Sequence, residues 1–225
     1  PGAFHVEWVR VDQPVPMAPW RSVGATQNGF FLECFIDEVA RAAGRDPLQL
    51  RRELLAHDPR ALNVIDTAAR AAGWGQPLPQ GRARGMAFVE SYGSLCAEVA
   101  EVSLRGGRPF VHRVVCALDC GSIVLPDGVR SQVEGGIVQG LSAVLGEAVD
   151  IAAGGAQERN FDTYPLLRIS DAPEGIETII IESGEAMGGV GEPPLPPLAP
   201  AVVNALVALT GQPIRELPLS RHKFS

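Results

Sequence analysis

Hydrophobic and polar positions divide the chain into a helical stretch and a mixed one. In NGFFLECFIDEVARAAG, Phe31, Phe35, Val39 and Ala42 recur at three- and four-residue spacing, which predicts a helix with those residues on one stripe and Gly44 as its stop. Asp46, Pro47 and Gln49 then form a capping-box-like start to a short second helix, LQLRRELL. Asp58 and Pro59 repeat the signal ahead of RALNVIDTAARAAG, a third helix closed by Gly73. Residues 24–73 therefore read as mostly helical, and residues 74–86 as a turn-rich linker.

Beyond the linker the period shortens. AEVAEVSL (97–104) and VHRVVCAL (111–118) are rich in β-branched residues and flank the turn RGGRPF, which predicts an antiparallel hairpin. A loop, LDCGSIVLPDG, leads into VRSQVEGGIVQGLSAVLGEAV, where Val133, Ile137, Leu141 and Leu145 return to helical spacing. Gly135, Gly136 and Gly140 each cost that helix up to ~1 kcal/mol relative to alanine, which points to close packing or to a ligand against the backbone. IETIIIES (176–183) reads as a last strand, and Ala199–Thr210 as a buried helix with Pro200 in its first turn and Gly211 as its stop. Helices and antiparallel strands in separate runs predict an α+β architecture over 1–225, with the α+β part proper at 87–225.

Composition narrows the function classes. Nineteen Lys+Arg against 26 Asp+Glu give a formal charge of −7 over 225 residues, with no dense basic run to track a phosphate backbone, so no nucleic-acid partner is expected. No apolar run approaches the ~20 residues that would span a bilayer. The chain opens on Pro1 without an initiating Met and reads as a piece of a longer polypeptide. Cys34, Cys96, Cys116 and Cys120 form no C-x-x-C pair and read as small buried side chains, with Cys116 and Cys120 placed near each other at a strand end. His5, His57, His112 and His222 lack an H-E-x-x-H context, so no metal held directly by protein ligands is expected. The serines lack a G-x-S-x-G elbow, and GGVGE runs into prolines rather than the helix of a dinucleotide fold.

The strongest chemical candidate is Glu192 in GGVGEPPLPPLAP. Gly188, Gly189 and Gly191 before it tolerate unusual backbone angles and close approach, while Pro193, Pro194, Pro196 and Pro197 stiffen the chain after it, so one carboxylate is fixed on a preset loop. A rigid loop leading into a core helix would look the same, and Glu192 needs further context to count as functional.

That context comes from three segments in order: APWRSVGATQNGFFLECFIDEVA, DCGSIVLPDGVRSQVEGGIVQGLS and GGVGEPPLPPLAPAVVNAL. Together they resemble the molybdenum-binding subunits of the xanthine oxidase and aldehyde oxidoreductase superfamily. The RSVG turn and NFDTYPLLRISDAPE most resemble the branch formed by the beta subunits of isoquinoline 1-oxidoreductases. The resemblance implies the C-terminal part of a longer subunit and a molybdopterin cofactor, in its cytosine dinucleotide form, whose pterin holds the molybdenum. It implies hydroxylation of an sp² carbon, in an aldehyde or N-heteroaromatic ring, with oxygen from water. Glu192 would then be the base, and Arg21 would lie at the substrate side. Gln132 would hydrogen-bond the pterin or its phosphate, with Gly135, Gly136, Gly188, Gly189 and Gly191 along the cofactor. Gly24, Gln27 and Asn28 would meet the dinucleotide tail. Asp162 and Tyr164 would at most help to wall the pocket, and a packed loop explains them better.

Two partners are implied as well: the remaining N-terminal part of the molybdenum subunit, and a subunit with [2Fe-2S] clusters, since no iron–sulfur cysteine pattern occurs here. Resemblance alone favours a periplasmic compartment over a cytoplasmic one. The pattern departs from its relatives at Ser22, where a glycine is usual, and at Val23, where many have an aromatic residue. A cofactor-binding segment usual between the equivalents of Arg21 and Gln132 is missing. A rival reading is that this segment alone is a non-catalytic scaffold, binding its companion polypeptide and holding no cofactor.

Overall fold

The protein is described from a computed structural model that covers residues 5–12, 15 and 17–224; the Pro1 start lies outside the described residues. Three helices come first: α1 (Gly24–Ala42), α2 (Pro47–Leu54) and α3 (Pro59–Ala71). The sheet strands β1 (Arg82–Ser91), β2 (Ser94–Arg105) and β3 (Arg108–Asp119) follow, then α4 (Pro126–Leu145), the two-residue strands β4 (Ile151–Ala152) and β5 (Gly155–Ala156), β6 (Gly175–Ile180) and α5 (Leu198–Thr210). The start signals work as read: Asp46 accepts from the Gln49 N–H, and Asp58 from those of Arg60 and Ala61. Among the described residues no helix is long and apolar enough to cross a membrane.

The main sheet runs β1-β2-β3-β6. β2 and β3 meet at Arg105↔Arg108 around Gly106 and Gly107, a tighter hairpin than the apolar pattern outlined. One expectation changes here, and one pairing left open by the sequence is decided. The linker read over 74–86 already contains the start of β1, because Arg82 and Arg84 hide its alternation by bonding outward, Arg82 to Glu101 and Arg84 to the Gly73 and Gln76 carbonyls. β6 pairs with β3 in parallel, after α4 and the segment that follows it have carried the chain back.

Helices cover both faces of the sheet. Val64, Ile65 and Ala68 of α3 pack on Met86, Val99 and Val115. On the other face Val133, Ile137 and Leu141 of α4 and Val202 and Leu206 of α5 share a core with Cys96, Val114 and Leu118. α5 lies so close to β1 that a Cβ on Gly85 would overlap its backbone at Ala201 to Ala205. Cys96, Cys116 and Cys120 are buried, but the sulfur beside Cys116 belongs to Cys96, at 3.5 Å, rather than to Cys120.

The largest surprise is α1. Its predicted stripe points outward: Phe31 and Phe35 are each 62% exposed, while Glu33, Asp37, Gly29, Phe30 and Ala40 are buried. The buried Arg51 of α2 reverses the usual polarity. Its Nε meets Glu33 at 2.9 Å and its Nη1 meets Asp37 at 2.6 Å. Glu33 also accepts the Phe88 N–H, and Arg51 and Asn204 donate to the Met86 carbonyl, so these side chains satisfy an edge strand that has no further neighbour. Burial pushes the Glu33 and Asp37 carboxyls up, with Arg51 opposing that rise.

Candidate functional site

Three segments far apart in sequence meet at one hydrogen-bonded cluster: the turn before α1, one face of α4, and the loop that precedes α5. Arg21 is the hub. Its Nε donates to the Gly191 carbonyl at 2.7 Å, its Nη1 to Gln139 Oε1 at 3.1 Å, and its Nη2 to the Gln132 carbonyl at 3.2 Å and to Gln132 Oε1 at 3.3 Å. Nη2 also contacts the Gly191 carbonyl. The planar fork of a guanidinium can join a helix and a loop in this way, which a lysine could do at only one point.

Beside Arg21, the buried Ser22 grips Glu192 twice. Its backbone N–H donates to Glu192 Oε2, and its hydroxyl donates to the Glu192 carbonyl at 2.6 Å. Half-buried Glu192 thus has one carboxylate oxygen tethered, with its backbone held from the same residue. The turn that makes this contact is strained: Ser22 has φ 68° and Val23 φ 44°, and a β-branched residue there is a true outlier. Val23 is also the N-cap of α1 and makes no side-chain cap, so the first-turn N–H groups of that helix are left without a side-chain partner.

The predicted residues fall into three groups. Arg21, Gln132, Gly136, Gly191 and Glu192 come together; a Cβ on Gly136 would lie 3.1 Å from Pro194 and 3.4 Å from Arg21, so this glycine permits the approach of α4 to the loop. Gly135 is open, and Gln132 is exposed with its amide nitrogen directed to no protein acceptor among the described residues. Gly24 and Gln27 lie on the first turn of α1, Gln27 exposed. Gly188 and Gly189 behave differently. The room they leave is filled by the β1–β2 turn, where a Cβ on Gly188 would overlap Gly93 and Ser94 and one on Gly189 would reach within 3.0 Å of Tyr92. Neither glycine has positive φ, so close packing rather than unusual backbone angles requires them.

The loop is anchored from below. Gly188 N donates to the Cys120 carbonyl at 2.9 Å, Gly189 N to the Tyr92 carbonyl at 2.8 Å, and Ser94 Oγ to the Gly189 carbonyl at 2.6 Å. Next to Cys120, buried Asp119 accepts from Arg60, from the Gly121 N–H and from Ser183 Oγ. Burial alone would raise the Asp119 carboxyl, but those donors together outweigh it and hold the group below the usual carboxylate range.

Pattern alone does not mark Ser22, Gln139 or the Tyr92–Ser94 turn as parts of the site. Gln139 has a signal: it lies seven residues after Gln132, two helical turns along the same face. The turn partners have none. Tyr164 donates to Glu147 at 2.8 Å beyond the end of α4. A cavity of about 340 Å³ does exist, but it lies under the other side of α1, lined by Leu32, Glu33, Leu54 and Phe88, and does not reach Glu192.

Comparison with known proteins adds the following. The family profile described as molybdopterin cofactor-binding domain matches residues 37–173. The chain is 36% identical over 96% of its length to the beta subunit of isoquinoline 1-oxidoreductase from Brevundimonas diminuta, covering 29% of that protein. It is 34% identical over 93% of its length to the second (B) subunit of nicotinate dehydrogenase from Pseudomonas putida, covering 19% of that one. The chain thus spans less than a third of these two curated relatives. Among solved structures, aldehyde oxidoreductase from Desulfovibrio desulfuricans superimposes with a TM-score of 0.72 over 89% of this chain and 40% of its own, at 14% identity, a likeness of fold.

Proposed function

The chain belongs to the molybdopterin cofactor-binding family of molybdenum-binding subunits related to xanthine oxidase, and on that premise we propose that it forms part of a molybdenum hydroxylase acting on an sp² carbon of an aldehyde or N-heteroaromatic compound. The observation that carries this reading is the tether of Glu192: a single carboxylate held by Ser22 at one oxygen and at its own carbonyl, beside the Arg21 clamp.

When bound, the molybdenum cofactor, in its cytosine dinucleotide form, supplies two-electron redox chemistry and oxygen derived from water. Exposed Gln132 and open Gly135 offer it an amide and bare backbone on α4, and at the start of α1, where the Ser22 and Val23 carbonyls already take the Ala25 and Thr26 N–H groups, Gly24 and Gln27 would supply the N–H donors to a phosphate. Glu192 Oε1 takes the proton that the water-derived oxygen must lose, while Oε2 stays on the Ser22 N–H and keeps the carboxylate aimed. Arg21 acts through Glu192 by pinning the Gly191 carbonyl next to it. A partner subunit with [2Fe-2S] clusters would accept the electrons, since this chain has no iron–sulfur cysteine pattern of its own.

In the complete enzyme, Glu192→Gln is expected to keep its molybdenum and to lose about 10²- to 10⁴-fold in turnover. Unchanged turnover would remove Glu192 from the chemistry.

One observation favours a second reading for the chain by itself. Neither the cavity of about 340 Å³ nor the one of about 310 Å³ is lined by Glu192, and Gln132 and Gly135 are exposed, which favours reading this segment alone as a scaffold that retains cofactor only with the rest of the subunit. Molybdenum and released pterin, measured on the chain with and without its companion polypeptide, separate the two: cofactor on the chain alone refutes the scaffold reading.

A further inference from the structure

Beneath α4 and α5 the sheet carries a polar cluster that the Glu192 site does not use. Side chains alternate along a strand, so Cys96 and Glu98 of β2 point to the same face. Glu98 stands opposite Cys116 in β3, and Cys116 opposite Thr178 in β6, which makes one rung of Glu98, Cys116 and Thr178 with Cys96 diagonal to it. Cys96, Glu98 and Cys116 are each 0% exposed. The two sulfurs are 3.5 Å apart, and one ligand atom from each of the three residues lies within 4.8 Å of the others. Both carboxylate oxygens of Glu98, and the hydroxyl of Thr178, have no hydrogen-bond partner among the described residues.

Elsewhere this chain does not leave a deeply buried carboxylate alone. Glu33 and Asp37 share Arg51, and Asp119 has Arg60. Among the described residues Glu98 has no such cation, although it is the most deeply enclosed of the four. A buried carboxylate without a counter-charge or hydrogen bonds is strongly unfavourable. A lone water would satisfy an oxygen but leave the charge, and thiols are weak partners for it.

We infer that Cys96, Glu98 and Cys116 bind one structural zinc-class ion. The donor types select it: two soft sulfurs with a carboxylate oxygen suit zinc and exclude the all-oxygen preference of magnesium or calcium. The spacing agrees, since two thiolates at about 2.3 Å from a tetrahedral ion lie about 3.8 Å apart, close to the separation seen. Thr178 adds a hydroxyl on the same rung. Binding releases both thiol protons to solvent, and two thiolates, one carboxylate and a divalent ion sum to minus one, less than the minus two of an all-cysteine site. Because α4 and α5 close over the cluster, the ion is acquired as the domain folds and is kept from substrate.

The test uses the complete enzyme. Elemental analysis is expected to find one zinc per copy of this chain in addition to molybdenum and iron, and absorption at the zinc edge, which molybdenum and iron do not obscure, to show two sulfur neighbours at about 2.3 Å. Cys96→Ser and Cys116→Ser should each lower the zinc content severalfold. The edge measurement on the unaltered protein decides the matter even if both variants fail to fold. Zinc well below one per chain, zinc without sulfur neighbours, or zinc unchanged in both variants would each overturn the inference. The infrared band of a neutral carboxylic acid that disappears in Glu98→Gln would identify a protonated Glu98 instead.

Discussion

Replacing Arg51 with methionine tests the acidic inner face of α1 most directly. Arg51 is 1% exposed and joins two carboxylates on α1, while also donating to the Pro47, Glu33 and Met86 carbonyls. Methionine fills much of the volume but leaves Glu33 and Asp37 buried without a counter-charge. Removing one partner of a buried ion pair typically costs about 3–5 kcal/mol. For a protein of this size each kcal/mol lowers the melting temperature by about 2–4 °C, so a fall of roughly 6–20 °C is expected by calorimetry. The sign with pH follows from the carboxyls. Burial already raises Glu33 and Asp37, and a raised folded value means that stability falls as pH rises from the ordinary carboxylate range through the folded value. The deficit of Arg51→Met should therefore narrow in acid, where its two carboxyls take up protons. Adding Glu33→Gln and Asp37→Asn to Arg51→Met should recover part of the loss. A melting temperature within about 3 °C of the parent at neutral pH would refute the reasoning, and so would a deficit that grows in acid.

Three further outcomes are expected. Gly85→Ala should destabilise by about 1–3 kcal/mol or more in urea unfolding, because the new methyl must displace the α5 backbone, and a neutral result would mean that α5 sits farther from β1. Val23→Gly should stabilise by about 1 kcal/mol, since Val23 is half-exposed and its φ of 44° is open to glycine; destabilisation would refute the strained turn. Asp119→Asn should lower the melting temperature at neutral pH. The carboxyl is depressed in the folded state, so its contribution is present above the ordinary Asp value and is lost as pH falls through the folded one; a gap to the parent that stays constant across acid pH would count against it.

Much of this protein follows from local sequence, because caps, turns and periodicity act within a few residues. Asp46 and Asp58 cap the helices they precede, Gly211 stops α5 with φ 70°, and Gly106 and Gly107 turn the hairpin. Only resemblance placed Arg21, Gln132 and Glu192 at one site, since the Arg21–Gln132 contact and the Ser22 tether to Glu192 each join residues more than 100 positions apart. Tertiary contacts decided the rest. α1 presents phenylalanines outward and carboxylates inward because a buried arginine from another helix is a stronger determinant of its inner face than the apolar stripe. β1 was hidden because the partners of Arg82 and Arg84 lie elsewhere in the chain, and Gly188 and Gly189 are glycines because a distant turn occupies the space of their missing side chains. A sequence records which groups must be satisfied; where the satisfying partner is brought in from across the fold, only the folded chain reveals it.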